Sequence, residues 1–243
     1  MPDSARPLPS KLLTMPDAEP TPSAASRQEK PARTRRRTGT YAAADERRRR
    51  IVDAAMEHFA ERGYLNASMQ KIAADVGISY AGLLHHFGNK RELLRTVLEV
   101  RESQAVELFY KRLDLDRPDL VQLLGLICEH TRFNLTQPGL MQMYTLLSAE
   151  ATAEDHPAHD YFRERYARIT ALIEEAVGHG ISSGALDAGS DGTTVARELL
   201  AVADGFQIQW GLSDGAWDML GAYRDYLDRL CRRLTADHRG LDG

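Results

Sequence analysis

The stretch ASMQKIAADVGISYAGLLHHFGNK, residues 67–90, predicts two short helices joined by a tight turn. Ser68 is placed to cap the first helix. Apolar residues then recur at three and four positions, as on one face of a helix: Met69, Ile72, Ala73 and Val76. Gly77 is suited to end that helix because glycine accepts a positive φ, and Ser79 is placed to cap the next one. A glycine turn of this length between two helices is typical of a helix-turn-helix.

The second of these helices has two faces. Helical spacing puts Leu83, His86 and Phe87 on one face, which we expect to pack against the rest of the domain. The other face then stays free and is small and polar; it comprises Ala81, Leu84 and His85, flanked by Tyr80 and Gly82. A face of this shape fits a DNA major groove. Glycine-turned helix pairs also occur in domains that bind no DNA, so the turn alone leaves both interpretations open.

From Arg47 to Leu94 the chain resembles the N-terminal domain of TetR-type transcriptional regulators. RRRRIVDAAMEHFAERGY is similar to the first helix of that family, and SMQKIAADVGISYAGLLHHFGNKRELL to its helix-turn-helix and the start of its fourth helix. Leu84 departs from the family pattern, which usually has an aromatic residue there, most often tyrosine, whose hydroxyl meets a phosphate. The resemblance therefore shifts that role towards His85 and Lys90.

The resemblance implies an all-α fold of nine helices, with an N-terminal helix-turn-helix domain and a larger C-terminal helical domain for effector binding and dimerisation. We expect a disordered basic tail over residues 1–44, the DNA-binding domain over 45–105 and the C-terminal domain over 106–243. The residues expected at DNA are Ser68, Gln70, Ser79, Tyr80, Ala81, Gly82, Leu84, His85 and Lys90.

Charge is distributed unevenly along the chain. The net charge of the 243 residues is −4, yet residues 1–95 hold 17 lysines and arginines against 11 acidic residues, while residues 96–243 hold 14 against 24. The N-terminal part therefore suits a polyanion, and the acidic remainder is expected to face away from DNA. No apolar run has the ~20 residues of a membrane span, and the N-terminus lacks the apolar core of a signal peptide. We expect a cytoplasmic, nucleoid-associated protein with no membrane partner.

The first 44 residues are rich in Pro, Ser, Ala and Arg and hold few large apolar side chains, a composition that does not fold alone. The repeated MPD at Met1 and Met15 leaves two possible translation starts. Arginines at positions 33, 35, 36, 37 and 47–50 are expected to lie along phosphates or in a minor groove. A solvated tail that makes no such contact is the alternative.

Helices are predicted beyond the helix-turn-helix as well. The first is expected over 45–62, ended by Gly63, and a long one from Asn89 to about Leu113 links the two domains. Small motions of this long helix are expected to connect an effector near Phe109 with the DNA-binding domain. Five more helices, without a strand, are predicted over residues 119–136, 139–153, 157–182, 191–212 and 214–236.

The C-terminal helices carry residues suited to an apolar cavity with a few polar groups, as small-molecule sites usually are. The candidates are Phe109, His130, Phe133, Met143, Tyr144, Tyr166, Ile169, Phe206 and Gln207. Any one of them is also explained as ordinary core. The effector cavity itself is implied by the resemblance, and the sequence does not identify its ligand.

The last two helices hold more apolar residues than one buried face requires, and the resemblance implies that they form a four-helix interface in a homodimer. The expected interface residues are Leu199, Val202, Trp210, Trp217, Leu220, Tyr223 and Leu227. The alternative is that both faces of these helices are buried within one subunit.

The sequence shows no catalytic constellation, so we expect neither an enzyme nor a cofactor. His156, His159 and Asp160 have a spacing that suits a metal ion, but residues facing solvent at a helix start explain it as well. Cys128 and Cys231 lie far apart and have no metal-ligand spacing.

The expected function is a ligand-responsive regulator, favoured as a repressor, that binds a palindromic operator as a dimer and is released by a small molecule. The alternatives are an α-helical enzyme or adaptor with an incidental helix pair, and a regulator governed by protein partners without a ligand.

Overall fold

The computed structural model describes residues 37–242. Nine α-helices lie in this range, and a short 3₁₀ helix, Tyr110–Arg112, follows the fourth. The helices are α1 (Arg37–Asn66), α2 (Met69–Val76), α3 (Tyr80–Phe87), α4 (Lys90–Leu108), α5 (Leu120–Leu135), α6 (Pro138–Glu150), α7 (His159–Ser182), α8 (Gly192–Leu212) and α9 (Met219–Leu234). The described range has no strand beyond one isolated bridge between Leu186 and Thr235. The prediction of an all-α, nine-helix fold is confirmed.

The first helix begins earlier than predicted, at Arg37 instead of Asp45. The run Ala42–Ala44 explains the extension, because alanine is the strongest helix former. The helical backbone breaks at Gly63, as predicted, where φ is 68° and ψ is 176°. Residues 1–36, the greater part of the predicted tail, lie outside the described residues.

The two largest of the remaining differences from the predicted helix boundaries are at the end of α4 and the start of α9. Helix α4 ends at Leu108 instead of near Leu113, because Phe109 leaves helical geometry at φ −120° and its ring stacks on His130 with centroids 5.1 Å apart. Helix α9 begins at Met219 and not at residue 214. The side chain of Asp218 caps its start by accepting a hydrogen bond of 2.8 Å from the backbone N–H of Gly221.

The helix-turn-helix has the capping that its sequence predicts. Ser68, Ser79 and Asn89 each precede a helix, and their side-chain oxygens accept backbone N–H groups at 3.4, 3.0 and 2.9 Å. Gly77 ends α2 in the left-handed region at φ 75°. These local hydrogen bonds set the orientation of α2, α3 and α4 relative to one another.

Two hydrophobic cores hold the described residues together. The first core contains side chains of α1, α2, α3 and α4, together with Met143 and Leu147 of α6 and Phe162 of α7. The second joins α5, α7, α8 and α9. Helix α1 packs chiefly against α6. The first core thus takes side chains from beyond residue 105, where the predicted DNA-binding domain ends.

Candidate functional site

The free face of α3 follows from the residues that α3 buries. Leu83 and Phe87 lie in the first core, whereas Tyr80 is 44% exposed, and Ala81 and His85 are exposed as well. This face is short and combines a small residue with an aromatic hydroxyl and an imidazole. A short, exposed and partly polar helix face of this kind is the type of surface that helix-turn-helix proteins present to a major groove.

Gly82 and Leu84 also have structural roles in α3. A Cβ at Gly82 would lie 3.2 Å from the Oγ of Ser79, so glycine leaves room for the side chain that caps the helix. The same lack of a side chain leaves room for a DNA backbone that approaches α3. Leu84 is half-buried and packs against the first core, which corrects its placement on the free face. It follows Leu83 by only 100° of helical rotation and lies at the edge of the buried stripe.

The two DNA candidates on the segment of α2 differ in accessibility. Ser68 is half-buried, and its hydroxyl oxygen is already the N-cap acceptor for the backbone N–H of Lys71. Gln70 is exposed and is the second residue of α2. Their contact with DNA stays a prediction.

Lys90 is held by the protein itself. Its Nζ donates to the carbonyl of Leu65 at 3.2 Å and lies 4.6 Å from the ring centroid of Tyr64. Burial lowers the pKa of Lys90, an effect that Glu150 opposes. Because an ammonium group has three donors, one contact with a carbonyl leaves N–H groups for a phosphate. The tie between Lys90 and the end of α1 was not predicted from the sequence.

Two arginines in the first half of α1 contact the helix-turn-helix. Arg50 donates to the carbonyl of Val76 at 2.9 Å, and Arg48 donates to the carbonyl of His86 at 3.2 Å. The guanidinium of Arg48 also lies 4.4 Å from the ring centroid of Phe87. Both carbonyls are at C-terminal ends of helices, where unpaired acceptors and the helix dipole favour cations. Two arginines expected at phosphates therefore have partners inside the domain.

A partly open cavity of about 280 Å³ lies among α4, α5, α6, α7, α8 and the start of α9. Six of the nine predicted effector-site residues line it: His130, Tyr144, Tyr166, Ile169, Phe206 and Gln207. The structure therefore gathers residues that lie far apart in the chain around one space.

The other three candidates do not line the cavity. Met143 is completely buried in the first core, about 100° of helical rotation away from Tyr144. Phe109 stacks on His130, and its ring centroid is 5.6 Å from that of Phe133. Phe109 thus contacts a residue of the cavity wall, and Phe133 contacts Phe109. Hydrophobicity alone did not distinguish residues that line the cavity from residues that pack beside it.

The cavity wall holds more charge than the sequence suggested. Arg101 and Glu102 of α4, Arg165 and Arg168 of α7 and Asp204 of α8 all line it. Arg168 forms a salt bridge with Glu102 at 2.5 Å. The available signal was Arg101, a charged residue that follows Val97 by one turn on the apolar stripe of α4.

Tyrosine and histidine side chains complete the polar part of the wall. The hydroxyl of Tyr166 donates to Asp204 at 2.6 Å, and the hydroxyl of Tyr110 is hydrogen-bonded to Nδ1 of His130 at 3.0 Å. Burial, reinforced by Arg165 and Arg101, lowers the pKa of His130 to about 4. Burial likewise raises the pKa of Tyr110 to about 12. Both groups are therefore neutral near pH 7.

Three of the predicted dimer residues are buried inside the subunit. Leu199, Tyr223 and Leu227 belong to the second core, which corrects their assignment to an interface. In α9 the apolar stripe that contains Tyr223 and Leu227 faces the subunit core, because α9 packs against α5. The other four predicted residues, Val202, Trp210, Trp217 and Leu220, are half-buried. Leu212, at the end of α8, is 83% exposed.

The histidines near the start of α7 have separate hydrogen-bond partners. Nδ1 of His156 accepts the backbone N–H of Ala158 at 3.2 Å, and Nδ1 of His159 is 2.9 Å from the carbonyl of Ala151. Within residues 37–242 no cluster of His, Cys, Asp and Glu has the grouping of a metal site. The helices of the same range include none that is long and apolar enough to cross a membrane.

Two family models match the chain. The model of bacterial regulatory proteins of the tetR family matches residues 51–97, which cover the second half of α1, all of α2 and α3, and the start of α4. The model of the C-terminal domain of the BetI-type transcriptional repressor matches residues 127–232. The two matches together cover both the helix-turn-helix and most of the helices around the cavity.

Individual relatives agree with these matches. The HTH-type transcriptional regulator SrpR of Pseudomonas putida is 28% identical over 148 residues, which are 60% of this chain and 67% of SrpR. NalD, the secondary repressor of the MexAB-OprM multidrug efflux pump in Pseudomonas aeruginosa, has a TM-score of 0.63 at 23% identity over 80% of this chain and 99% of its own. FadR from Bacillus subtilis in complex with stearoyl-CoA has a TM-score of 0.64 at 21% identity over 76% of this chain and 98% of its own. At these identities the structural similarity shows the fold alone.

Proposed function

Because this chain belongs to the TetR family of bacterial transcriptional regulators, we propose that it is a one-component repressor controlled by a small molecule. The chain binds a palindromic operator as a homodimer, and a small molecule in the cavity releases it. NalD is itself described as a repressor, and FadR was crystallised with stearoyl-CoA, which supports both halves of the proposal by analogy.

One observation carries the proposal, namely that single helices face both the cavity and the DNA-binding core. In α6, Met143 lies in the first core while the adjacent Tyr144 lines the cavity. In α4, Val97 lies in the first core and Arg101, one turn later, lines the cavity. A ligand that favours one arrangement of α4 and α6 therefore acts on the helices that orient α3.

The coupling between ligand and operator has to be reciprocal. If the ligand weakens operator binding by some factor, the operator weakens ligand binding by the same factor, typically equivalent to about 1–3 kcal/mol. The two α3 helices of a dimer must lie about 34–36 Å apart, or a multiple of that distance, to meet successive major grooves. A ligand that selects another spacing is sufficient for release.

We also propose that the dimer forms through the apolar surface left exposed by α8, α9 and the segment between them. Leu212 of α8 is 83% exposed, and Trp210, Trp217, Val202 and Leu220 are half-buried, although the last two also pack against the second core. Exposed apolar surface of this kind usually meets a partner. The protein acts without catalysis, in the cytoplasm and at the nucleoid.

Selection of bound sequences from random DNA with the full chain tests operator binding. The expected result is an enriched palindrome. An Ala81→Glu variant places a carboxylate on the free face of α3 and should lose the enrichment, while the exposed Glu154→Ala variant should keep it. If the parent chain enriches no sequence, the rival α-helical enzyme or adaptor is favoured.

The ligand half of the proposal needs a separate measurement. A ligand found by thermal-shift screening is titrated into the free protein and into the operator complex. Weaker affinity in the complex is expected. Equal affinity in both would favour a DNA-binding regulator governed by protein partners.

A further inference from the structure

The cavity wall contains an arginine without an acidic partner. Arg165 of α7 forms no salt bridge and donates no hydrogen bond to another residue of the described range, although it lines the cavity. Arg168, one turn towards the C-terminus, differs because it pairs with Glu102. Asp204, the other carboxylate of the wall, accepts a hydrogen bond from Tyr166 through Oδ2 and forms no salt bridge with Arg165. Positive charge on the wall is therefore in excess.

The position of Arg165 leaves its donors available. Its guanidinium carbon lies 5.5 Å from the ring centroid of Tyr144, whose hydroxyl is 3.1 Å from that of Tyr161. A contact with an aromatic face holds the cation without using its N–H groups. A guanidinium has five N–H donors in a planar fork, and this geometry matches a carboxylate.

A second arginine adds to the positive potential. Arg101 is 7% exposed, and its Nε has no hydrogen-bond partner within the described residues. Its other nitrogens donate to Gln104 at 3.0 Å and to Asn134 at 3.4 Å, both neutral groups. Both arginines lower the pKa of His130, so their charges reach the same part of the wall. Unpaired charge in a protein interior is costly, and an anion would offset that cost.

Much of the wall is apolar and includes Leu123, Ile127, Ile169, Leu172 and Ile173. The volume of about 280 Å³ is just below the usual range of small-molecule sites, roughly 300–1,000 Å³. A site with one cationic side and a compact apolar remainder suits a short amphiphile.

We propose that the effector is a small monoanionic amphiphile whose carboxylate pairs with Arg165, near Arg101, and whose hydrocarbon body lies along Ile127, Ile169 and Leu172. This inference rests on the proposed function, since it names the ligand class of the same site. A neutral or cationic amphiphile of equal length lacks the charge that the arginines require.

Three eight-carbon probes that differ only in their head group test the proposal on the full chain: octanoate, octanol and octylamine. Calorimetric titration at pH 7.5 should show that octanoate binds at least about tenfold more tightly than the other two, because a buried charge left unpaired weakens binding strongly. Equal affinity for octanol or octylamine, or no binding of octanoate, would overturn the proposal.

Variants of α7 locate the contact. Arg165→Met should reduce octanoate affinity at least about tenfold and remove the preference over octanol. Arg165→Lys keeps the charge but loses the planar fork, so its affinity should fall between those of the parent and Arg165→Met. Arg163→Met is the matched control, because Arg163 is exposed and pairs with Asp160 at 3.0 Å. If Arg165→Met binds octanoate like the parent, the assignment is wrong, and the probe series on the parent decides the matter should that variant misfold.

Operator binding separates this inference from the proposed function. If octanoate binds through Arg165 and leaves operator affinity unchanged, the ligand class stands and the release mechanism fails. If the chain binds its operator but does not discriminate among the three head groups, the ligand class fails and DNA binding stands.

Discussion

Glu150 Oε2 accepts a hydrogen bond of 3.0 Å from the backbone N–H of Tyr64, and this bond ties the end of α6 to the segment that follows the break in α1. The fit is close, because a Cβ at Gly63 would lie 2.5 Å from the other carboxylate oxygen of Glu150. His156 lies on the same carboxylate, with Nε2 3.6 Å from Oε2. The helix that lines the cavity is therefore anchored to the DNA-binding core at its C-terminal end.

Replacing Glu150 by alanine should weaken this anchor. A hydrogen bond to a charged group contributes about 1.5–3 kcal/mol, so the free energy of unfolding should fall by about that amount. Urea denaturation measures the loss, and Glu154→Ala, an exposed glutamate four residues further along, is the control. Equal stability of the two variants would mean that the bond to Tyr64 contributes nothing.

Lys90→Ala should weaken binding to every DNA sequence, because a phosphate contact carries no sequence information. The slope of log affinity against log salt concentration should shrink by roughly 1. Fluorescence anisotropy at several salt concentrations measures both quantities, with Glu154→Ala again as control. Unchanged affinity and unchanged slope would leave Lys90 with only its structural contacts to Leu65 and Tyr64.

His130 should make folding stability depend on pH in the acidic range. Its pKa is about 4 in the folded protein, against about 6.5 in an unfolded chain. The unfolded chain therefore binds a proton that the folded chain resists, and stability falls as the pH drops from about 6.5 to 4.

The His130→Phe variant measures this contribution. As the pH falls over that range, the free energy of unfolding should decrease by up to about 3 kcal/mol more in the wild type than in the variant. The comparison uses the slope with pH, since the variant also lacks the hydrogen bond to Tyr110. His85→Asn, on an exposed residue, should follow the wild type. Parallel pH curves for wild type and His130→Phe would contradict the prediction.

Leu212→Glu should shift the chain from dimer to monomer, because it places a charge within the apolar surface at the end of α8. Leu65→Glu is a matched control, since Leu65 is 70% exposed but lies next to the helix-turn-helix. Sedimentation velocity of both variants at equal concentration distinguishes the two masses. A Leu212→Glu variant that remains as dimeric as the control would place the interface elsewhere.

Local signals explain which parts of the fold were predictable. Ser68, Gly77, Ser79 and Asn89 act on backbone groups within a few residues, so the sequence alone placed α2, α3 and the start of α4. Tertiary packing was less accessible. Leu227 was expected at a dimer interface and Met143 at a cavity, yet both are completely buried, because periodicity shows that a residue is buried but not against what.

The charged residues of the cavity wall were not predicted from the sequence, for a related reason. An arginine in a helix is usually solvated, and nothing near Arg165 in the sequence indicates otherwise. The sequence predicted that α4 alone connects the effector site, near Phe109, with the DNA-binding domain. In the structure Phe109 does not line the cavity, and α6 provides a second connection between the cavity and the DNA-binding domain through Glu150.

The shared first core has a consequence for engineering. A chimera that joined residues up to 105 to the sensor of a relative would separate Leu83 and Leu94 from Met143 and Leu147, with which they share a core. Such a chimera needs matching apolar side chains on its α6. Without them, the apolar residues of the DNA-binding domain that pack against α6 become exposed to solvent. Exchange of specificity is simpler by replacing the free face of α3 alone, since those side chains contribute nothing to the interior.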